Sequence, residues 1–227
     1  MISRLPAWGW LGAAGLSLVA GMVNVVGFLG FEQQAVAHLT GTTSLLGVAV
    51  AKGEFRVASG LLLPIASFVA GAILSGVIVQ DRTLRMGRCY GVALAIEAAL
   101  LAAAVPLFEA QHTAAAALAA MACGLQNAVT ATFSGALVRT SHLTGMFTDL
   151  GVFLGHRLRG IAVDPRRLWL CLLVIGSFAL GGVGGSALFP QLGYRALLLP
   201  AALTGFTAVT YLTYRCWRGP ANTTGAS

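Results

Sequence analysis

Two stretches of four residues carry the side chains best suited to chemistry. His38-Leu39-Thr40-Gly41 recurs as His142-Leu143-Thr144-Gly145, each copy set among apolar segments. An imidazole can donate or accept a hydrogen bond, or carry a proton near neutral pH, and a threonine hydroxyl can hold a ligand. Two carboxylates also stand in apolar surroundings: Glu97 near the middle of the run 90–107, and Asp149 one to two helical turns beyond the second tetrad. Ionisable groups in lipid are costly and are functional candidates by default, as proton or cation sites. His38, Thr40, Gly41, His142, Thr144, Gly145, Asp149 and Glu97 are therefore the expected lining of a solute or ion pathway. The plainer alternative gives these residues structural work. Thr40 or Thr42, and Thr144, would cap short helices, the glycines would allow close packing, and each carboxylate would make one hydrogen bond to a neighbouring helix.

The elements that position these residues belong to a membrane. Of 227 residues 57% are hydrophobic and only 9% are charged, and the mean hydropathy is +0.84. A soluble domain carries about 25% charged residues, so too few are present here to cover a water-facing surface. Apolar runs fall at about 11–31, 57–79, 90–107, 113–137, 168–189 and 194–214, with shorter segments at 35–51 and after the second tetrad. An all-α polytopic bundle follows, since lipid leaves backbone polar groups no partners outside helices. The net charge of +7 lies in the gaps between apolar runs. That is the pattern of topology determinants and anionic-lipid contacts, so no nucleic-acid partner is expected. Cys89, Cys123, Cys171 and Cys216 are widely spaced, which predicts free thiols and no metal site. The start resembles a signal peptide, but its apolar run is too long for one, and a retained first helix is expected.

The chain reads as two copies of one unit, 1–107 and 108–218, followed by a small polar tail, 219–227, expected to be disordered. Gly21 and Asn24 match Gly124 and Asn127 at an offset of 103; His38, Gly41 and Gly47 match His142, Gly145 and Gly151 at 104; Ser67-Phe68 matches Ser177-Phe178 at 110. Same-order matches with small drifts indicate an internal repeat.

Charge bias addresses how the halves insert, because Lys and Arg concentrate in cytoplasmic loops. With eight spans they divide nine to five. With six spans, and both tetrad segments entering and leaving on one side, they divide eleven to three, leaving only Lys52, Arg56 and Arg195 outside. Six spans with both termini cytoplasmic and two re-entrant or broken helices are favoured; eight spans are the alternative. Three spans per half invert the second copy relative to the first, an arrangement that recurs in transporters, where broken helices meet near the midplane.

Asn24, Gln126 and Asn127 are expected to join helices by hydrogen bonds, each worth about 0.6 kcal/mol on average. Gly151/Gly155 and Gly181/Gly185 are small-residue pairs of the kind that bring helices together, within one chain or in a homo-oligomer. No HExxH, GxSxG, Walker A or clustered Cys/His pattern occurs, so neither an enzyme nor a cofactor is expected. A third class, a scaffold or assembly protein acting through its glycine-rich helix faces, stays open.

The motifs Gly-x-x-Asn and His-x-Thr-Gly, with Gly-Leu-Gln-Asn-Ala and Arg-Thr-Ser-His-Leu-Thr-Gly-Met-Phe-Thr-Asp-Leu-Gly in the second half, resemble the YoaK family of small bacterial integral-membrane proteins. The resemblance covers about 15–214 and is most specific at the tetrads. It implies a polytopic inner-membrane protein with about six helices and supplies no activity. The chain departs from the family pattern in having Asn24 where Asp is frequent and Thr42 where Asn is frequent.

Overall fold

The computed structural model describes residues 7–30, 38–79, 88–134 and 140–217. Eight helices occur among them: α1 Ala7–Gly30, α2 Leu39–Ala51, α3 Phe55–Ile78, α4 Arg88–Glu109, α5 Ala114–Ser134, α6 Leu143–Leu158, α7 Pro165–Leu192 and α8 Leu198–Trp217, with a 3-10 turn at Gly193–Leu197 before α8. The described residues contain no strand. Five stretches are long and apolar enough to cross a membrane, the last being α7, the 3-10 turn and α8 taken together. Large apolar side chains also point outward: Leu62, Val69, Ile73 and Val77 on α3, Leu180 and Val183 on α7, Phe206 and Val209 on α8. So wide an apolar exterior marks a surface that meets lipid. The protein is a polytopic membrane-helical bundle.

Local sequence sets the helix ends. Asp164 is the N-cap of α7, its carboxylate accepting from the Arg166 amide at 3.0 Å, and Pro165 occupies the first helical position. Proline has no amide to leave unsatisfied there, so α7 begins three residues before its apolar run. The short helices α2 and α6 end alike. Gly53 and Gly160 have φ of +72° and +73°, a conformation that costs glycine little. Around them the Glu54 amide donates to Ala49 and the Ile161 amide to His156, both at 2.9 Å. These bonds satisfy carbonyls at the helix ends and fold each short helix back along the long helix after it. Ala49, Ala58 and Leu61 form the small core between α2 and α3, and Met146, Cys171 and Val174 lie in the core between α6 and α7.

The long helices alternate in direction. At one end of the bundle the Trp8 and Phe133 rings lie 5.1 Å apart, Tyr90 and Phe133 6.2 Å, and Tyr90 and Tyr211 5.7 Å, joining the start of α1, the end of α5, the start of α4 and the end of α8. At the other end the Tyr194 hydroxyl donates to the Gly30 carbonyl while its ring stacks on Phe108, with centroids 4.8 Å apart. There Arg195 pairs with Glu109 at 2.8 Å, an exposed pair of small energetic weight.

Closest approach occurs where glycine removes the side chain. A methyl on Gly21 would overlap the Phe178 carbonyl, and one on Gly181 the Leu18 carbonyl, so α1 and α7 touch backbone to backbone. A methyl on Gly124 would overlap the Phe68 carbonyl, and one on Gly71 the Met121 carbonyl, so α3 and α5 do the same. Both pairs run parallel. In lipid, where apolar burial drives little association, such contact is a main source of packing energy. Gly181 and Gly185, expected to be a packing face, are taken up by α1 of the same chain.

These directions give each short helix its depth. α1 ends, and α3 begins, at the Tyr194 end; α5 ends, and α7 begins, at the Trp8 end. With 13 and 16 residues, α2 and α6 extend roughly 20 and 24 Å. Each therefore starts near mid-height beside the longer helix that follows and runs outward, α2 to one end of the bundle and α6 to the other.

Candidate functional site

The chain breaks that start α2 and α6 fall on the two histidines. His38 and His142 are the N-cap residues, with near-identical backbone angles (φ −100°, ψ 65° and φ −91°, ψ 59°), and neither side chain caps its own helix. The threonines do not supply the caps either. Thr40 and Thr144 already lie inside the first turn, and the hydroxyls bond backward: Thr42 to the His38 carbonyl at 3.3 Å, Ser44 to Thr40 at 3.0 Å, Thr148 to Thr144 at 2.9 Å. A hydroxyl placed after the break reaches the preceding carbonyls more readily than the free amides. The expectation of threonine caps is corrected accordingly.

The fourth tetrad residue now has a steric reason. A methyl on Gly41 would lie 2.8 Å from Cδ2 of His38, and one on Gly145 only 2.6 Å from Cδ2 and 2.7 Å from Nε2 of His142. Each imidazole folds over the first turn of its own helix and rests on the glycine three residues on. Any larger residue there would displace the ring.

A cavity of about 360 Å³ lies between the two short helices, with α3 and α5 as its floor. His38, Thr40, His142 and Thr144 line it together with Leu39 and Leu143, and Phe68 and Gly124 place it at mid-height. Two residues not expected there complete the polar wall. Asn127 of α5 donates to the Ser141 hydroxyl at 2.5 Å, and its Oδ1 accepts from the Ser141 amide at 3.1 Å and from the Thr140 hydroxyl at 3.4 Å. This one side chain ties Thr140 and Ser141, just before α6, to the cavity floor. Ser141 was visible in the sequence only as the neighbour of His142.

Gly41 and Gly145 sit behind the rings rather than on the cavity surface. The carboxylates lie elsewhere. Asp149 is exposed on α6. Glu97 is 2% exposed within α4, and its Oε2 has no hydrogen-bond partner among the described residues. Neither lines the cavity. Gln126 joins helices as expected, donating to the Leu16 carbonyl of α1 at 2.8 Å. Asn24 is half-buried on α1. A larger groove of about 930 Å³ runs between α1 and α8, but Leu11, Leu16, Leu203 and Phe206 make it mainly apolar, a face for lipid. The described residues contain no group of three or more His, Cys, Asp or Glu side chains able to hold a metal.

No curated protein and no solved structure matches the chain. A family model described as a protein of unknown function, DUF1275, matches residues 12–210, which include all eight helices in whole or in part. The chain belongs to the DUF1275 family, of which the YoaK proteins are members.

Proposed function

We propose that this protein moves a small solute or ion across the bacterial cytoplasmic membrane, through a site between the two His-Leu-Thr-Gly segments. The observation that carries this reading is the cavity of about 360 Å³ at mid-height of an apolar bundle, bordered by His38, Thr40, His142 and Thr144. Irregular backbone at membrane depth is tolerated only where protein buries it or water reaches it. The non-helical N-cap residues His38 and His142 both border the cavity and meet that condition.

The reading includes an inverted repeat with six spans. Supporting it, the contact of Gly21 with Phe178 recurs as Gly124 with Phe68, and that of Leu18 with Gly181 as Met121 with Gly71. The partners are related by the offsets of 103 and 110 residues present in the sequence. Short helices entering from opposite ends, with their N-termini on one cavity, suit alternating access around a fixed site. Both termini are assigned to the cytoplasm on the distribution of Lys and Arg. Glu97, buried at mid-span behind α5, is assigned to proton coupling rather than to solute contact.

The test is solute flux into liposomes bearing the purified protein, with wild type compared with the His38→Ala/His142→Ala double variant. Flux in wild type that falls at least tenfold in the variant, with folding retained, is the expected result. Flux unaffected by the double substitution would remove the cavity from the pathway. A scaffold is the second reading, favoured by one observation: Gly151 and Gly155 on α6 face open space. It expects a stable homo-oligomer broken by Gly151→Leu, with no flux at all.

A further inference from the structure

We propose that the cavity selects a small monoanion, a monocarboxylate or an inorganic anion of similar size; this rests on the cavity being the substrate site. Every polar side chain of the described lining can donate a hydrogen bond. Two imidazoles, two threonine hydroxyls and Ser141 reach it, while its described wall contains no carboxylate to balance a cation. Asp149 and Glu97, the acids nearest in sequence to a cation-site role, both lie away from it.

The backbone adds to the same polarity. The first turns of α2 and α6 both form part of the wall, and neither helix is capped by its N-cap side chain. First-turn amides have no intrahelical acceptor, and each helix N-terminus carries roughly half an elementary positive charge. Two of them facing one cavity sum to about one unit. Among the described residues no Lys or Arg lines the cavity to raise that figure, so it is one negative charge that these helix ends match. At about 30 Å³ per water, the 360 Å³ volume admits a small organic acid or a partly hydrated inorganic ion. The histidine rings, held over the helix starts by Gly41 and Gly145, stand beside the amides as further donors.

The experiment is thermal unfolding of the full chain in detergent, with sodium acetate or sodium nitrate exchanged for sodium sulfate at constant ionic strength. Sulfate generally stabilises folded proteins, so nonspecific salt effects would lower Tm along the exchange. The expected result is a saturable rise in Tm with at least one monoanion, acetate marking a carboxylate site and nitrate an inorganic one. Apparent affinity should weaken at least tenfold in Gly145→Ala and Thr144→Ala, and stay unchanged in Gly151→Ala. A fall in Tm with both salts overturns the proposal, as does a saturable rise that survives both cavity variants. Replacing sodium by lithium, potassium or choline at fixed sulfate provides the opposite arm. A saturable cation effect lost in the same variants overturns the anion class and leaves the cavity as a site. Monoanion binding without flux would refute transport and leave the binding assignment standing.

Discussion

The tetrad makes sense as a device for holding an imidazole. His38 and His142 each end a chain break, lie over the first turn and rest on the glycine three residues later. Gly145→Ala places a methyl 2.6 Å from the ring. Because the ring can swing toward the cavity, the expected loss is small, at the low end of the roughly 1–3 kcal/mol typical of overpacking, while solute-dependent stabilisation disappears. Gly151→Ala, with open space around it, should change neither; parallel unfolding curves with and without solute check this. Glu97 offers a second residue-scale prediction. Its Oε2 has no partner among the described residues, so Glu97→Gln should keep the fold, with Tm within a few degrees of wild type. Flux driven by a pH gradient should be lost and flux down a solute gradient retained, as measured in liposomes. The sequence marked both carboxylates as intramembrane but could not show that they miss the cavity, because facing depends on helix rotation within the bundle.

Among the elements, the parallel pairs α1–α7 and α3–α5 depend on backbone contact. Gly124→Ala would drive a methyl into the Phe68 carbonyl. Backbone cannot yield as a side-chain tip can, so destabilisation at or above the upper end of about 1–3 kcal/mol is expected. Gly184→Ala on α7, with nothing close, should be neutral; thermal unfolding and gel filtration in detergent distinguish the two. Thr140 and Ser141, before α6, are held by Asn127. Asn127→Ala removes its bonds to Thr140 and Ser141, at roughly 0.6 kcal/mol for each interhelical bond. The cost of about 1–2 kcal/mol should appear locally, as faster thiol labelling of a cysteine placed at Ser141. The offsets of 103 and 110 residues in the sequence pair Gly21 with Gly124 and Phe68 with Phe178. They did not reveal that Gly21 meets the Phe178 carbonyl and Gly124 the Phe68 carbonyl.

At the scale of the molecule, the six longer helices α1, α3, α4, α5, α7 and α8 traverse the bundle, while α2 and α6 run outward to opposite ends. In a cysteine-free background, cysteines at Lys52, beyond α2, and at Arg159, beyond α6, should react with an impermeant thiol reagent from opposite sides of the membrane. Labelling from the same side would return the eight-span arrangement.

Composition alone determined that the bundle is helical and made for lipid, since a chain with 9% charged residues cannot cover itself for water and lipid forces backbone groups to pair within helices. Sequence self-similarity picked out the two tetrads as counterparts. Only the tertiary structure decided that His38 and His142, 104 residues apart, line one cavity, that Asn127 and Ser141 share its wall, and that Asp149 and Glu97 stand outside it. The reason is steric. The placing of both tetrads on one cavity is set by how closely α3 and α5 approach at Gly71 and Gly124, and by where Gly53 and Gly160 fold the short helices back. The turns are local, but the contacts of Gly71 with Met121 and of Gly124 with Phe68 join residues far apart in the chain.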